Sequence, residues 1–364
     1  MRSVDTDPRT RPIKDLSPSP PGPTVVVDQG LGYELVLSLR MWVDVEDPVS
    51  YAEGPGWFEH VRRTAPPALL ADVMRYCGGH ELLFGHLLGL VIESRPPRDQ
   101  SSLIDHVSGL DAGALRRHLL GYHLQAYRGG VSRALIAGAA DGQSQAEAAL
   151  LAGSDDEHAA AYRHLLKIRP GETRDLLLRV LEGWTSSVME MDGEVGAMLD
   201  RSAAAASRLV EAATFDQVLD VLSPGCRYDP EPGIDRLLLV PSWVGRPWLV
   251  MCEHDGAKIF CFPASDERAH AADDPPVGLA TLYRALGEEN RLRLLRRLAG
   301  DACTLQELTD HVGLAKSTVH GHLLALRTSG LVALDVIDRR YSLRPGALAA
   351  AGIMLDAYLG RERG

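Results

Sequence analysis

The chain of 364 residues is poor in aromatic side chains and in cysteine, and it has no long apolar run. Aromatic residues make up 5% of it, while alanine, leucine and valine are frequent, which favours helix over sheet. Its 5 cysteines are an odd number and lie far apart, so we expect reduced thiols rather than a disulfide framework. Because no apolar run is long enough to cross a bilayer, we expect a cytoplasmic protein with no membrane partner.

The sequence also lacks the motifs of common catalytic sites. It contains no glycine-rich phosphate loop followed by lysine, no Gly-x-Ser-x-Gly elbow and no His-Glu-x-x-His pair. His118 and His123 are five residues apart, a spacing that does not bring two side chains to one face of a helix. We interpret them as surface or hydrogen-bonded side chains, and we expect no enzyme activity, no cofactor and no metal site.

The formal net charge of −11 argues against a nucleic-acid binder, but the charge is unevenly distributed. Residues 276–364 contain 12 basic and 9 acidic side chains, whereas the first 275 residues contain 26 basic and 40 acidic ones. A positive excess confined to one segment is what a phosphate-facing module needs. The charge distribution therefore points to a nucleic-acid-binding element near the carboxyl end.

The stretch from Thr304 to Tyr341 has the pattern of two short helices and a hairpin. Thr304 is followed three residues later by Glu307, which predicts a capping box at the start of a helix, and Gly313 is placed to end it. A second helix then runs to about Thr328. The segments that follow predict a two-stranded wing, so the whole stretch predicts a winged helix-turn-helix.

The second of these helices has one apolar face and one polar face. Val319, Leu323 and Leu326 recur at helical spacing and should pack inward. The opposite face suits insertion into a major groove. We expect base edges to be read by Ser317, His320 and Gly321, and phosphates or groove edges to be held by Lys316, Thr318, Arg327, Arg339 and Arg340.

This segment resembles the ArsR-type winged-helix regulators of bacteria over residues 276–345. The family pattern Leu-Ser-x-x-Thr-Val-Ser-x-His-Leu-x-x-Leu-Arg-x-x-Gly-Leu-Val is similar to the sequence from Leu314 to Val332. Ala315 stands where the family usually has a capping serine, and His320 stands at the second serine. The resemblance implies a transcriptional regulator that binds double-stranded DNA as a homodimer.

Metal sensors of the same family place two cysteines, one residue apart, on the helix before the turn. Thr304 and Gln306 occupy those positions here, and Cys303 stands alone beside them. We interpret Cys303 as a buried apolar residue. The resemblance therefore implies no metal site in this domain.

The rest of the chain predicts helices and one small sheet. Asp255 and Gly256 separate two apolar runs and predict a tight hairpin, in which Cys252 faces Ile259 and Cys261 faces Val250. The predicted fold is mainly α with small antiparallel β elements. We divide the chain into a disordered tail (1–23), a helical domain (24–222), a small antiparallel sheet (223–264), a linker (265–276) and the winged helix-turn-helix domain (277–364).

The role of the helical domain is the part of the function that the sequence leaves open. Its loose resemblance to helical domains attached to some ArsR-type regulators implies that it senses a signal, through an unknown small-molecule ligand, or mediates dimerisation. Two alternatives to a DNA-binding regulator remain. One is an adaptor protein whose winged helix binds protein, and the other is an enzyme with an appended DNA-binding domain.

Overall fold

Helices dominate the computed structural model, as the predicted mainly α class requires. The structure describes residues 22–44, 51–125, 131–189, 193–223, 226–229, 231–246, 248–264, 277–335 and 338–344, with the single positions 348, 351, 352, 355 and 359. The predicted linker, and the predicted tail up to residue 21, lie outside these residues. Among the described residues, no helix combines the length and the apolar character needed to span a bilayer.

The first eleven helices of the described residues form one body around a large core, and two more helices follow them along the chain. Their bounds are α1 Leu31–Val43, α2 Gly54–Thr64, α3 Pro67–Cys77, α4 Leu82–Gly85, α5 Leu87–Glu93, α6 Gln100–Gly109, α7 Ala112–Leu119, α8 Arg133–Ala140, α9 Ser144–Gly153, α10 Asp156–Leu165, α11 Pro170–Ser187, α12 Gly193–Ala212 and α13 Phe215–Leu222. The side chains of Asp99, Asp111, Ser132 and Asp155 cap α6, α7, α8 and α10 by accepting backbone N–H bonds. Trp184 is fully buried in this core, and its indole N–H donates to Ser38 at 2.9 Å.

The carboxy-terminal part adds four helices and most of a second sheet within the described residues. The helices are α14 Val277–Leu286, α15 Glu289–Leu298, α16 Leu305–Val312 and α17 Lys316–Thr328. The strands of the whole chain are β1 Thr24–Val27, β2 Cys226–Arg227, β3 Arg236–Ser242, β4 Val250–His254, β5 Ala257–Pro263, β6 Cys303–Thr304, β7 Val332–Asp335 and β8 Arg340–Leu343. They form a central sheet in the order β1-β3-β5-β4 and a wing sheet in the order β2-β7-β8-β6.

The central sheet is mixed, which corrects the predicted antiparallel sheet. The β4–β5 hairpin is antiparallel and has the predicted register, with Cys252 opposite Ile259 and Cys261 opposite Val250. However, β3 runs parallel to β5, and β1 runs parallel to β3. After β3 the chain crosses to the edge of the sheet and forms β4. It then turns back and forms β5, which lies between β3 and β4. The most apolar strands thereby take the protected central positions.

Both faces of the central sheet are buried, which explains its continuous apolar runs. Along β5, Ile259 and Cys261 pack into the core of the first helices. Phe260 and Phe262 point the other way, into a second core that α12 and α13 share with the sheet. The sheet and the helical segment are therefore packed together, and the predicted boundary at residue 222 does not separate their cores.

Strand β2 crosses another predicted boundary. Cys226 pairs with Leu334 and Arg227 with Asp335, so a strand from the segment assigned to the small sheet extends the wing sheet instead. Arg344 donates to Asp220 at 2.8 Å beside this pairing. The winged helix is thus attached to the rest of the chain through backbone hydrogen bonds and an ion pair.

A charged pair is built into the edge of the second core. The ammonium group of Lys258 is fully buried and lies 2.7 Å from Glu231, which also accepts the hydroxyl hydrogen of Tyr228. Burial alone would raise the pKa of Glu231, but the hydrogen bonds from Lys258 and Tyr228 outweigh that effect and lower it. Each charge of the pair offsets the free-energy cost of burying the other.

Replacing one partner should therefore destabilise the protein more than replacing both. We expect Lys258→Met to lower the free energy of unfolding by about 3–5 kcal/mol, because it leaves the Glu231 carboxylate uncompensated. The double variant Lys258→Met, Glu231→Gln should regain at least half of that loss. Urea unfolding followed by circular dichroism measures both. Arg236→Met, at an exposed position at the start of β3, is the control and should change stability by less than about 1 kcal/mol. A Lys258→Met variant that is as stable as the wild type would contradict this expectation.

Candidate nucleic-acid interface

The first helix of the predicted helix-turn-helix begins at the expected capping box. The Thr304 N–H donates to Glu307 Oε2 at 2.7 Å, and the Glu307 N–H donates to Thr304 Oγ1 at 3.3 Å. Gly313 ends α16 with a φ of 71°, a left-handed conformation that glycine adopts without strain. These local interactions fix the turn from which α17 starts.

Helix α17 is held by its apolar face, as predicted. Val319, Leu323 and Leu326 are fully buried in a core with α15, α16 and the wing sheet. Cys303 is buried in the same core, which confirms its interpretation as an apolar residue. The polar face of α17 therefore points away from this domain.

The predicted base-reading and phosphate-holding residues divide into two groups. Lys316, Ser317 and Thr318, in the first turn of α17, are exposed. His320 and Gly321 are partly covered, and Arg327 is 8% exposed. Of the predicted contact residues on α17, those of the first turn therefore offer their side chains most freely to a second molecule.

Trp248 covers the remainder of this face. Its ring stacks on His320 with the centroids 4.9 Å apart and the planes 26° from parallel. The Arg327 guanidinium carbon lies 6.0 Å from the centre of the same ring. One tryptophan from the loop between β3 and β4 therefore contacts two of the residues that we expected on DNA. Sequence reasoning missed this contact, because no local pattern relates the two segments.

A cleft of about 600 Å³ runs beside this contact. On one side it is lined by the first turns of α17, including Lys316 and Ser317, and on the other by helices of the first body. The polar residues on that other side are Arg40, Asp44, Tyr51, Glu81 and Glu157. Carboxylates of the acidic part of the chain thus face the basic helix across the cleft.

The acidic wall of the cleft is organised by hydrogen bonds. Arg40 donates to Glu81 at 2.5 Å, and the Tyr51 hydroxyl donates to Asp44 at 2.7 Å. Burial raises the pKa of Glu81 to about 7 against the opposing charge of Arg40. The second carboxylate oxygen of Glu81 is buried and has no hydrogen-bond partner among the described residues.

The two arginines of the wing have different surroundings. Arg339 is exposed in the turn between β7 and β8, with a φ of 53°. Arg340 donates to the Ala302 carbonyl at 2.7 Å and lies 3.3 Å from Glu307. Part of the charge of Arg340 is therefore used inside the domain, and the guanidinium group of Arg339 is the more accessible of the two.

Comparisons with known proteins concern the same region. Residues 288–333 match the model of the family described as "Bacterial regulatory protein, arsR family". The chain is 41% identical over 75 residues to the HTH-type transcriptional regulator CmtR of Mycobacterium bovis, and equally so to that of two Mycobacterium tuberculosis strains. The match covers 20% of this chain and 64% of each relative, so the chain spans just under two thirds of their length. No solved structure matches the chain.

The uncapped start of α17 can be tested directly. Ala315 occupies the N-cap position with extended backbone angles and supplies no side-chain hydrogen bond. Ala315→Ser should stabilise the first turn of α17 by about 0.5–2 kcal/mol, because its hydroxyl can accept a free backbone N–H. Hydrogen exchange of the α17 amides should slow accordingly. Ala325→Ser, in the middle of the same helix, is the control and should give no protection. Faster exchange in Ala315→Ser would contradict the cap assignment.

Proposed function

We propose that this protein, whose residues 288–333 form an ArsR-family helix-turn-helix domain, is a cytoplasmic transcriptional regulator that binds double-stranded DNA as a homodimer. The similarity to regulators over the carboxy-terminal region favours this role over that of an enzyme. The observation that carries the proposal is the geometry of α17, which is anchored by an apolar face and begins with three exposed polar residues. Such a helix inserts its first turns into a major groove.

The proposal assigns different roles to the helix and the wing. Ser317, His320 and Gly321 read base edges, while Lys316, Thr318, Arg327 and Arg339 contact phosphates or groove edges, with a smaller contribution from Arg340. The positive excess of residues 276–364 supports this assignment. Because that excess is small, two copies of the domain are needed for firm binding.

Exposed apolar side chains support dimerisation through the ends of this domain. Tyr283 on α14, Leu292 on α15, and Leu348 and Leu359 near the carboxyl end are 40–54% exposed. The sequence also predicts a last, alanine-rich helix over residues 347–359, whose face of Ala349, Ile353, Leu355 and Leu359 would pair across a dimer or pack within the subunit. This helix lies mostly outside the described residues. Burying such side chains against a second copy would remove apolar surface from water.

We further propose that the rest of the chain controls access to α17. DNA cannot contact His320 and Arg327 while Trp248 lies on them, so binding requires the two parts to separate. The carboxylates across the cleft take the place of phosphates in the covered state. A small-molecule signal that enters the cleft would contact both parts at once and shift the balance between the covered and the DNA-bound states.

The roles of helix and wing are separable by salt titration. The full chain is measured on a motif selected from random duplex DNA and on random DNA. Ser317→Ala, His320→Ala should narrow the affinity gap between the two DNAs by roughly 1–3 kcal/mol per lost base contact, with little change in salt slope. Loss of the Trp248 stack in this variant changes the affinity for both DNAs by the same factor, so the gap still reports base reading.

The wing variant should behave in the opposite way. Arg339→Ala should weaken binding to both DNAs and reduce the slope of log affinity against log salt by about 0.9, the value for one phosphate contact. Arg340→Ala is the matched control, with a smaller effect expected because its guanidinium group is already engaged. If Arg339→Ala relaxes the motif while the helix variant changes only the slope, the roles are reversed. If no variant and no salt concentration alters duplex binding, the protein is not a DNA-binding regulator.

Removing the Trp248 ring, which covers the polar face of α17, should strengthen DNA binding. An aromatic stack and a cation–π contact together contribute about 1–2.5 kcal/mol. If the covered state dominates, Trp248→Ala should raise the apparent affinity for selected and random DNA alike, by roughly fivefold to seventyfold. Fluorescence anisotropy with labelled duplexes measures this change.

A second tryptophan in the same loop provides the control. Trp243 lies under the Arg246 guanidinium group, at 4.9 Å from ring centre to guanidinium carbon, and packs, partly buried, against the core of the first helices. Trp243→Ala removes a ring of the same size without uncovering α17, so DNA affinity should not rise. A loss of affinity in Trp248→Ala would show that Trp248 supports the DNA-binding conformation instead of competing with DNA.

A further inference from the structure

Three histidines that are far apart in the sequence meet at one end of the central sheet. His118 comes from α7, His123 from the loop that follows it, and His254 from the end of β4. The ring centroids are 5.2 Å apart for His118 and His123, 5.3 Å for His118 and His254, and 4.7 Å for His123 and His254. The spacing argument that set His118 and His123 aside assumed one continuous helix. Since α7 ends at Leu119, the chain is free to turn His123 back onto His118.

Two carboxylates border the histidines. His254 Nε2 lies 2.8 Å from Glu93 Oε1, and His123 Nδ1 lies 3.0 Å from Asp255 Oδ2. One ligand atom from each of Glu93, His118 and His123 lies within 4.8 Å of the others, and the same holds for His123, His254 and Asp255. A tetrahedral ion about 2.0–2.2 Å from each ligand needs ligand atoms roughly 3.5 Å apart. Small side-chain rotations would therefore bring either set onto one ion.

We propose that this cluster binds one divalent transition-metal ion of the zinc, cobalt or nickel type. Neutral imidazole nitrogens combined with carboxylate oxygens suit such borderline cations. Magnesium and calcium favour sites made of oxygen alone, and soft ions favour thiolates, of which neither set contains one. The proposal does not depend on DNA binding, since the cluster lies outside the winged helix.

The surroundings of the buried His118 suit a metal ligand. His118 is 6% exposed, and its Nε2–H donates to the His86 carbonyl at 2.8 Å, which leaves the lone pair on Nδ1. A backbone carbonyl in this position is a common partner of metal-bound histidine.

The cluster has both a fitted interior and an entry from solvent. Gly89 of α5 makes the room, because a Cβ atom there would lie 2.4 Å from His254 Nδ1 and 3.0 Å from His118 Cε1. On the outer side, the side chains of His123 and Asp255 are 23% and 46% exposed. An ion reaching His123 and Asp255 first would have the buried ligands directly behind them.

The test uses the full chain after removal of metal with a chelator. Cobalt(II) is the probe, because its visible ligand-field absorption reports nitrogen coordination, and zinc(II) should displace it. We expect one saturable equivalent per chain. Zinc(II) should also raise the thermal unfolding temperature, because an ion that binds only the folded state stabilises it.

Variants distinguish this cluster from adventitious binding. His123→Ala and His254→Ala should each weaken cobalt(II) binding at least about tenfold. Asp255→Asn, at an exposed turn position that tolerates asparagine, should weaken binding without disturbing the interior. His60→Ala, on α2, is the control and should bind as the wild type does. Circular dichroism of the metal-free variants verifies folding.

Two results would overturn the proposal. One is the absence of saturable cobalt(II) binding by the folded wild-type chain. The other is binding that stays within about threefold of wild type in both His123→Ala and Asp255→Asn. Neither result depends on His254→Ala, so the proposal stays testable if that buried substitution prevents folding.

Discussion

The burial of β5 on both faces is the constraint on which the rest of the structure depends. A strand whose alternate side chains enter two separate cores needs protected neighbours on both edges, and β3 and β4 supply them. The same strand holds the first helices on one face and α12 and α13 on the other. Because β3 and β5 run parallel, the chain between them must cross the sheet end, and that crossing carries Trp248 to the surface that meets α17.

Strand β4 connects the two features on which the proposals about this protein rest. Trp248 lies just before its first residue, against the polar face of α17, and His254 is its last residue, inside the histidine cluster. Because β4 is an edge strand, it is paired through one side only, with β5. An edge strand can shift with less disruption of hydrogen bonds than a central one.

Local patterns were predictable from the sequence, and long-range pairings were not. Thr304, Glu307 and Gly313 specify the start and end of α16 through hydrogen bonds within a few residues, and Asp255 with Gly256 specifies a hairpin register. In contrast, β3 pairs in parallel with β1 and with β5, and neither partner is adjacent to it in the sequence. Strand β1 is also too short for its sequence to predict a strand partner. The contact of Trp248 with His320 joins residues that share no pattern at all. The histidine cluster could not be predicted for the same reason, because His254 is far from His118 and His123 in the sequence.

The contacts of Trp248 with α17 are weak enough to be reversible. A contact of about 1–2.5 kcal/mol shifts a two-state balance by no more than two orders of magnitude. In the proposed dimer, phosphate contacts made by two such domains would exceed that energy at low salt, and so would a modest ligand that favours one state. The covering segment is also part of the same chain, so it competes at a high local concentration without needing high affinity. Under the proposed control of access, Trp248 keeps the Arg327 guanidinium group of α17 away from nonspecific polyanions until a better partner displaces the ring.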